Sequence, residues 1–299
     1  MTIWKESSST TKPAIADSLP WLKKLKGRST IDRAFLALLA EWILDQKCRR
    51  GEKRLFVFGV NGSIGQGKTT FCEALAKSLN ARLPRHEGKA LTRSLDDYYL
   101  PRSRRYAPEF LARGYDPRGI PNRGPAGTHD TRRLWKDIRA FEKSTAASRF
   151  SLPIFDKQND ERSPRSFQFQ GKVAIFILEG WFVGADTRVN VGRTKTGLKR
   201  SVARALRSYR PIFDRLDALW LFKTPSTRRI AEDRIKQQMS LNRDTGRKGM
   251  SPRQIRRFVQ YFYKDAWQPG VTSPIPPAAK VTFYADVNPR HRFISVRAG

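Results

Sequence analysis

The stretch Gly62-Ser63-Ile64-Gly65-Gln66-Gly67-Lys68-Thr69 decides the fold, read with the apolar residues 55–60 before it and the segment Thr70-Phe71-Cys72-Glu73-Ala74-Leu75-Ala76 after it. It satisfies the pattern G-x-x-x-x-G-K-[ST] in full. Residues 55–60 (LFVFGV) read as a buried strand and residues 68–80 as a helix, so the glycines occupy a strand-to-helix turn. In such a turn, backbone N–H groups curl around phosphate oxygens and the helix N-terminus adds positive potential. On this reading Gly62, Ser63, Ile64, Gly65, Gln66, Gly67, Lys68, Thr69 and Thr70 form a nucleotide cradle. Lys68 is expected to reach the β- and γ-phosphates, and the Thr69 hydroxyl to ligate Mg²⁺. The loop by itself leaves a kinase, a GTPase and a motor all open.

Outward from the loop, apolar runs at 90–95, 152–155, 173–178, 218–222, 281–285 and 293–296 read as strands. Helical spacing is expected within 21–50, where Ile31, Phe35, Leu38, Leu39, Trp42 and Ile43 share a face, and again over 131–144 and 203–213. Two more helices open at Ser226 and Ser251 and are expected to run to about Ser240 and Trp267, each with a Pro-containing first turn or N-cap serine. Residues 100–128 read as a long functional loop, 186–200 as an insertion, 242–250 as a basic loop and 1–17 as loosely ordered. Alternating strands and helices predict an α/β fold: a doubly wound, mostly parallel sheet with an N-terminal helix and a helical lid. The division expected is an extension over 1–50 and a phosphate-loop domain over 51–299.

In such sheets ligands bind beyond the carboxyl ends of the strands. The glycine loop, Asp96-Asp97 and Glu179 all fall at such ends, so they are expected to converge. Phosphoryl transfer needs a phosphate cradle, Mg²⁺ ligands, a base for the attacking hydroxyl and charge stabilisation on the transferred group. Lys68, Asp96, Asp97 and Glu179 are the catalytic candidates, with Thr69 and Glu179 for the metal. An Asp-Asp pair equally suits a turn or helix cap, and a strand-end glutamate can be simply solvated. The segment from Arg123 to Asp130 (RGPAGTHD) is expected to grip the acceptor, although Thr128 or Asp130 also suits a helix cap. Cations among Arg228, Arg229, Arg234, Lys236, Arg243, Arg247 and Lys248 are candidates for a lid over the phosphates, or for a solvated helix face.

A formal charge of +32 spread along the whole chain admits three readings: attraction of anionic small molecules, electrostatic binding of nucleic acid, or a basic surface with no specific partner. Nucleic acid is the less favoured of the two partners, because no aromatic-interleaved basic stripe is evident. The two cysteines and three histidines form no metal-ligand spacing, and a reducing cytoplasm fits them. The N-terminus has no apolar signal-peptide core, and no apolar run is long enough for a bilayer.

Four segments then carry a resemblance: residues 94–100 (SLDDYYL), 123–130 (RGPAGTHD), 152–157 (LPIFDK) and 177–182 (ILEGWF). Residues 209–217 (YRPIFDRLD), 249–252 (GMSP) and 258–261 (FVQY) continue it. Over roughly 55–296 the chain resembles the D-glycerate 3-kinases of plants, fungi and cyanobacteria, within the phosphoribulokinase, uridine kinase and pantothenate kinase group of P-loop kinases. The resemblance implies ATP and Mg²⁺ as cofactors and a small carboxylate such as glycerate as acceptor. It implies Asp96 as general base, Asp97 as its neighbour in the metal or substrate shell, and Glu179 as organiser of Mg²⁺. Thr128, His129, Asp130, Asp156 and Lys157 would line the acceptor site, with Lys157, Arg123 or Arg162 clamping the carboxylate. Another acceptor (a nucleoside, pantothenate or a sugar) and a nucleic-acid-associated ATPase or polynucleotide kinase are the alternatives.

Overall fold

The computed structural model describes residues 19–51, 54–188, 197–223, 226–246, 249–266, 281–288 and 290–298. Six strands form the main sheet: β1 (Phe56–Asn61), β2 (Lys89–Ser94), β3 (Val173–Gly180), β4 (Ala218–Phe222), β5 (Thr282–Val287) and β6 (Phe293–Ala298). Their order is β6-β5-β4-β1-β3-β2, with every neighbouring pair parallel except β6, which is antiparallel to β5. Every residue of β1, β3 and β4 is buried. Parallel strands covered on both faces have no solvent side to alternate with, which is why these segments read as unbroken apolar runs.

Helices α1 (Arg33–Arg49) and α2 (Lys68–Asn80) cover one face of the sheet; α3 (Thr131–Glu142), α4 (Gly197–Leu206), α5 (Thr227–Thr245) and α6 (Pro252–Gln260) belong to the other. Successive β1 residues alternate between the two cores: Phe56, Phe58 and Val60 face α1 and α2, whereas Val57 faces the opposite layer. On the α1 side the centre is aromatic. The fully buried Trp220 ring lies 5.4 Å from Phe35, 5.5 Å from Phe71 and 5.2 Å from Phe283, centroid to centroid.

The expected helix over 21–50 is two pieces. A 3-10 turn (Pro20–Leu25) ends near Gly27 (φ +79°), whose N–H donates to the Phe293 carbonyl at 2.8 Å. The backbone spends its hydrogen bonds on β6 there, and α1 restarts with Asp32 as N-cap, accepting from the Phe35 N–H at 3.0 Å. Ile31 and Leu38 consequently lie at the surface, while Phe35, Leu36, Leu39, Ala40 and Ile43 form the buried face.

Other boundaries also differ from expectation: the helix expected over 203–213 begins at Gly197, inside the expected insertion, and gives way to a 3-10 turn at Arg207–Tyr209. The run at 152–155 is divided by Pro153 between two small hairpins, Arg149–Leu152 with Phe167–Gln170 and Phe155-Asp156 with Glu161-Arg162. Helix α5, capped by the Ser226 side chain, continues past Ser240 to Thr245 and stops at the left-handed Gly246 (φ +65°). Helix α6 has the expected Ser251 cap and then passes into a π-helical turn, Tyr261–Ala266. Residues 1–17, most of 186–200 and Trp267 lie outside the described residues. Among the described residues no helix is long and apolar enough to cross a membrane.

Phe35 is fully buried against Phe71, Trp220 and Phe293. Phe35→Ala should therefore lower the unfolding free energy by about 3–5 kcal/mol in a denaturant titration. An unchanged midpoint would mean that α1 contributes nothing to the main core.

Candidate active site

The glycine loop closes from β1 onto α2 through left-handed backbone at Gly65 (φ +82°) and Gly67 (φ +75°), the latter being the N-cap of α2. L-residues with a Cβ resist this conformation, which explains the glycines there. The loop is braced by hydrogen bonds within the protein. The Gln66 side chain accepts from the Ser63 N–H at 2.5 Å and donates to the Lys223 carbonyl at 2.8 Å, beyond the end of β4. The Ile64 N–H donates to the Tyr263 hydroxyl at 3.3 Å. Lys68 Nζ donates to the Ser63 carbonyl at 3.0 Å, so its ammonium already lies across the loop.

Register places the acidic groups. In the β1–β3 ladder Val60 is opposite Glu179, and in the β2–β3 ladder Ser94 is opposite Glu179. The end of β3 therefore sits between the start of the glycine loop and the Asp96-Asp97 turn. The Thr69 hydroxyl donates to Glu179 Oε1 at 3.1 Å. These oxygens suit Mg²⁺, which takes one or two protein oxygens and completes its shell with phosphate and water. Among the described residues no cluster of three His, Cys, Asp or Glu side chains forms an all-protein cage.

The cleft above the loop is lined by Ile64, Gly65, Gly67, Lys68, Thr69 and Thr70. Asp96, Tyr99, Arg123, Lys157, Glu179, Gly180 and Trp181 line it as well. Arg234, Gln237, Met250, Phe258 and Phe262, from α5, α6 and their flanks, also line it. Lys157 Nζ lies 2.6 Å from Asp96 Oδ2. Burial raises the Asp96 carboxyl, but the Lys157 ammonium outweighs it, and the group is held well below the usual carboxylate range. The Tyr99 hydroxyl is turned to the same carboxylate and favours its ionised form further. Burial and the neighbouring Arg123 charge both disfavour the Arg234 cation.

The segments that converge here are tied by backbone hydrogen bonds. Leu100 N–H donates to the Thr128 carbonyl at 2.8 Å and Asp130 N–H to the Tyr98 carbonyl at 2.7 Å, bridging Tyr99 to His129. At Gly124 (φ +114°) a Cβ would lie 1.5 Å from Phe262 Cζ, and the Gly124 carbonyl accepts from Trp181 Nε1 at 2.9 Å. A glycine is required at this contact because the Phe262 ring packs directly on the backbone.

Lys68, Thr69, Asp96, Arg123, Lys157 and Glu179 thus reach one cleft, whereas five other candidates take up local tasks. Asp97 pairs with Arg93 at 3.0 Å and completes a capping box on the 3-10 turn Leu95–Tyr98. The Thr128 hydroxyl donates to the Pro125 carbonyl at 2.7 Å within its own turn. Asp130 caps α3 and pairs with Arg162 at 2.9 Å. Asp156 accepts from the Gln158 N–H at 2.8 Å and from the Asn159 N–H at 3.2 Å. His129 is buried beneath Tyr99, the two rings stacked at 4.3 Å, with Nδ1 2.7 Å from the Tyr209 hydroxyl. Burial pushes its imidazole down to about 3, against a smaller upward pull from Asp96. Arg234 was a sequence candidate for the lid, whereas Tyr99, Trp181, Gln237, Met250, Phe258 and Phe262 were not candidates; Tyr99 and Trp181 sit inside the segments that carry the resemblance.

A glycine cradle on a parallel sheet, one strand-end glutamate and an aspartate in the same cleft define the fold class: this is the P-loop kinase fold. No protein-family profile matches the chain. It is similar to "Uncharacterized kinase mug58" of Schizosaccharomyces pombe, with 29% identity over 234 residues, covering 73% of this chain and 82% of that one. Among solved structures it is similar to YGR205w (TM-score 0.70, 20% identity), covering 91% of this chain and 98% of that one. It is also similar to the D-glycerate 3-kinase of Cryptococcus neoformans var. grubii (TM-score 0.61, 21% identity), covering 89% of this chain and 99% of that one. The resemblance read from the four sequence segments is thus matched at the level of the fold.

His129 yields a stability prediction. Its folded pKa of about 3 lies below the ordinary 6.5, so between these values the unfolded chain binds the extra proton. This contribution to stability is fully present above about pH 6.5 and is lost as the pH falls. His129→Gln should flatten the decline of Tm between about pH 6.5 and 4.5. An unchanged slope would place that pH dependence elsewhere.

Proposed function

We propose that the protein is an ATP-dependent small-molecule kinase that phosphorylates D-glycerate at the 3-hydroxyl by direct in-line transfer. The observation that carries this reading is the Asp96–Lys157 pair, 2.6 Å apart, lining one cleft with the phosphate loop. The cleft wall also carries four cations (Lys68, Arg123, Lys157, Arg234) against two carboxylates (Asp96, Glu179), a balance suited to anionic ligands. The structural likeness to a D-glycerate 3-kinase supports the choice of acceptor.

In this reading the loop N–H groups and Lys68 bind the ATP phosphates. Thr69 and Glu179 would hold Mg²⁺, which when bound would supply neutralisation of the phosphate charge. Asp96 orients the acceptor hydroxyl and takes its proton. A carboxylate held this acidic is a weak base, and it suits a loose transition state in which positioning matters more than early proton removal. Lys157 is half exposed and able to turn from Asp96 toward the acceptor carboxylate as the hydroxyl arrives. Arg234, on α5 in the cleft lining, faces the charge that develops on the transferred group. Cys48 and Cys72 are both unpaired, which supports a reducing compartment such as the cytoplasm.

The test is ADP release with ATP and Mg²⁺ over D-glycerate, L-glycerate, uridine, pantothenate, ribulose 5-phosphate and no acceptor. Turnover only with D-glycerate, with the product position assigned by NMR, is the expected result. Turnover with another acceptor removes glycerate while keeping the kinase chemistry. ATP binding without acceptor-dependent turnover turns attention to oligonucleotide binding and its salt dependence. Lys68→Ala and Asp96→Asn should each lower kcat by about 10²-fold or more; full activity in Asp96→Asn would remove the base assignment.

A further inference from the structure

The loop over residues 156–160 contributes two side chains to this region, and the sequence pointed to only one of them. Asp156 folds the loop into a tight turn by accepting from the Gln158 and Asn159 N–H groups. Lys157 leaves that turn toward Asp96. At its end Asp160 adopts left-handed backbone (φ +51°), a conformation in which aspartate is enriched among residues with a Cβ. The side chain of Asp160 is directed inward, and the residue is 7% exposed.

There the carboxylate meets two arginines. Asp160 Oδ1 is 2.6 Å from Arg123 Nη1 and 3.0 Å from Arg105 Nη1, and Asp160 Oδ2 accepts from the Tyr106 hydroxyl at 3.1 Å. The arginines differ in what remains free. Arg105 is completely buried, and its remaining bonds go to the carbonyls of Leu100 (2.8 Å), Asn122 (2.8 Å) and Asp160 itself (2.5 Å). The Arg123 side chain forms its one hydrogen bond among the described residues through Nη1, to Asp160, and it lines the cleft. Both guanidinium groups lie over the Phe155 ring, at 5.1 and 5.6 Å from its centroid. Two cations share one carboxylate, so the cluster carries an excess positive charge whose outlet is the cleft face of Arg123.

We infer that Asp160 is a positioning residue for acceptor specificity: it fixes one edge of the Arg123 guanidinium so that the remaining N–H groups present a preformed clamp to an anionic acceptor. The inference rests on the small-carboxylate reading of the acceptor given above. Preorganisation is the physical gain. A free arginine loses rotamer entropy when it binds a carboxylate, whereas one already anchored at Nη1 loses less. The turn also places Lys157 and Asp160 on one short segment, so the group beside the base and the group holding the clamp move together. An acceptor carrying a hydroxyl and a carboxylate a few bonds apart engages both.

The test compares wild-type protein with Asp160→Asn, which keeps the side-chain shape and removes the charge. With D-glycerate as probe, the acceptor KM should rise about tenfold or more while the ATP KM stays within about twofold. A purely structural role would lower Tm and leave the acceptor KM unchanged. That result, with glycerate still turned over, overturns the inference and leaves the proposed function standing. Wild-type turnover confined to uncharged acceptors overturns both. If Asp160→Asn does not fold, Arg123→Gln serves instead, since it leaves the Arg105–Asp160 pair in place. It should show the same selective KM defect and lose the preference for glycerate over its neutral amide; a retained preference overturns the inference.

Discussion

The parallel ladder between β1 and β3 sets Val60 opposite Glu179, and the glycine-loop side of the cleft is built from that register. The glycine loop begins one residue past β1, and Thr69 in the first turn of α2 meets the Glu179 carboxylate. A slip of one residue would turn Glu179 to the opposite face of the sheet and leave Thr69 without it. The register is held by strands buried on both faces and by a polar clamp at the other end. There Asp217 Oδ2 accepts from the Val57 N–H at 2.8 Å, and Asp217 pairs with Arg50 and Arg215 at 2.7 and 2.9 Å. An aspartate removed from water is tolerated here because its oxygens are met by cations and a backbone donor.

The part of the cleft lined by Tyr99 and Arg123 is built differently. It rests on loops brought together by the Tyr99–His129 bridge, the Phe262–Gly124 contact and the arginine pair on Asp160. Buried charge makes such an assembly specific. Removing any one partner would strand the others in a medium that solvates them poorly, so few alternative arrangements are tolerated. The sheet supplies a rigid floor, and the loops supply chemistry that can change without altering the floor.

Legibility in the sequence followed the range of the interactions. The glycine loop, the strands β1, β3 and β4, and the caps Ser226 and Ser251 were readable because each depends on neighbours within a few residues. Asp97, Thr128 and Asp130 were read from the residues either as site groups or as caps, and Asp156 through the resemblance as a site group; in the fold they cap turns or a helix. A short side chain with hydrogen-bonding oxygens looks the same in a sequence whether it binds a backbone N–H or a ligand. Asp160 was missed for the converse reason. Its partners Arg105 and Arg123 lie 55 and 37 residues away, and no local pattern signals such a cluster.

By itself the sequence determined the phosphate-loop motif, the α/β class and the convergence of the glycine loop, Asp96 and Glu179 at the carboxyl ends of parallel strands. These follow from backbone conformation and apolar periodicity, which are local properties. Only the tertiary structure decided which of the many polar residues line the cleft, that His129 lies beneath Tyr99, and that one buried aspartate pairs with the arginine in the cleft lining. Those outcomes depend on which distant segments pack together, because the burial and charge balance of a side chain are set by its neighbours in space.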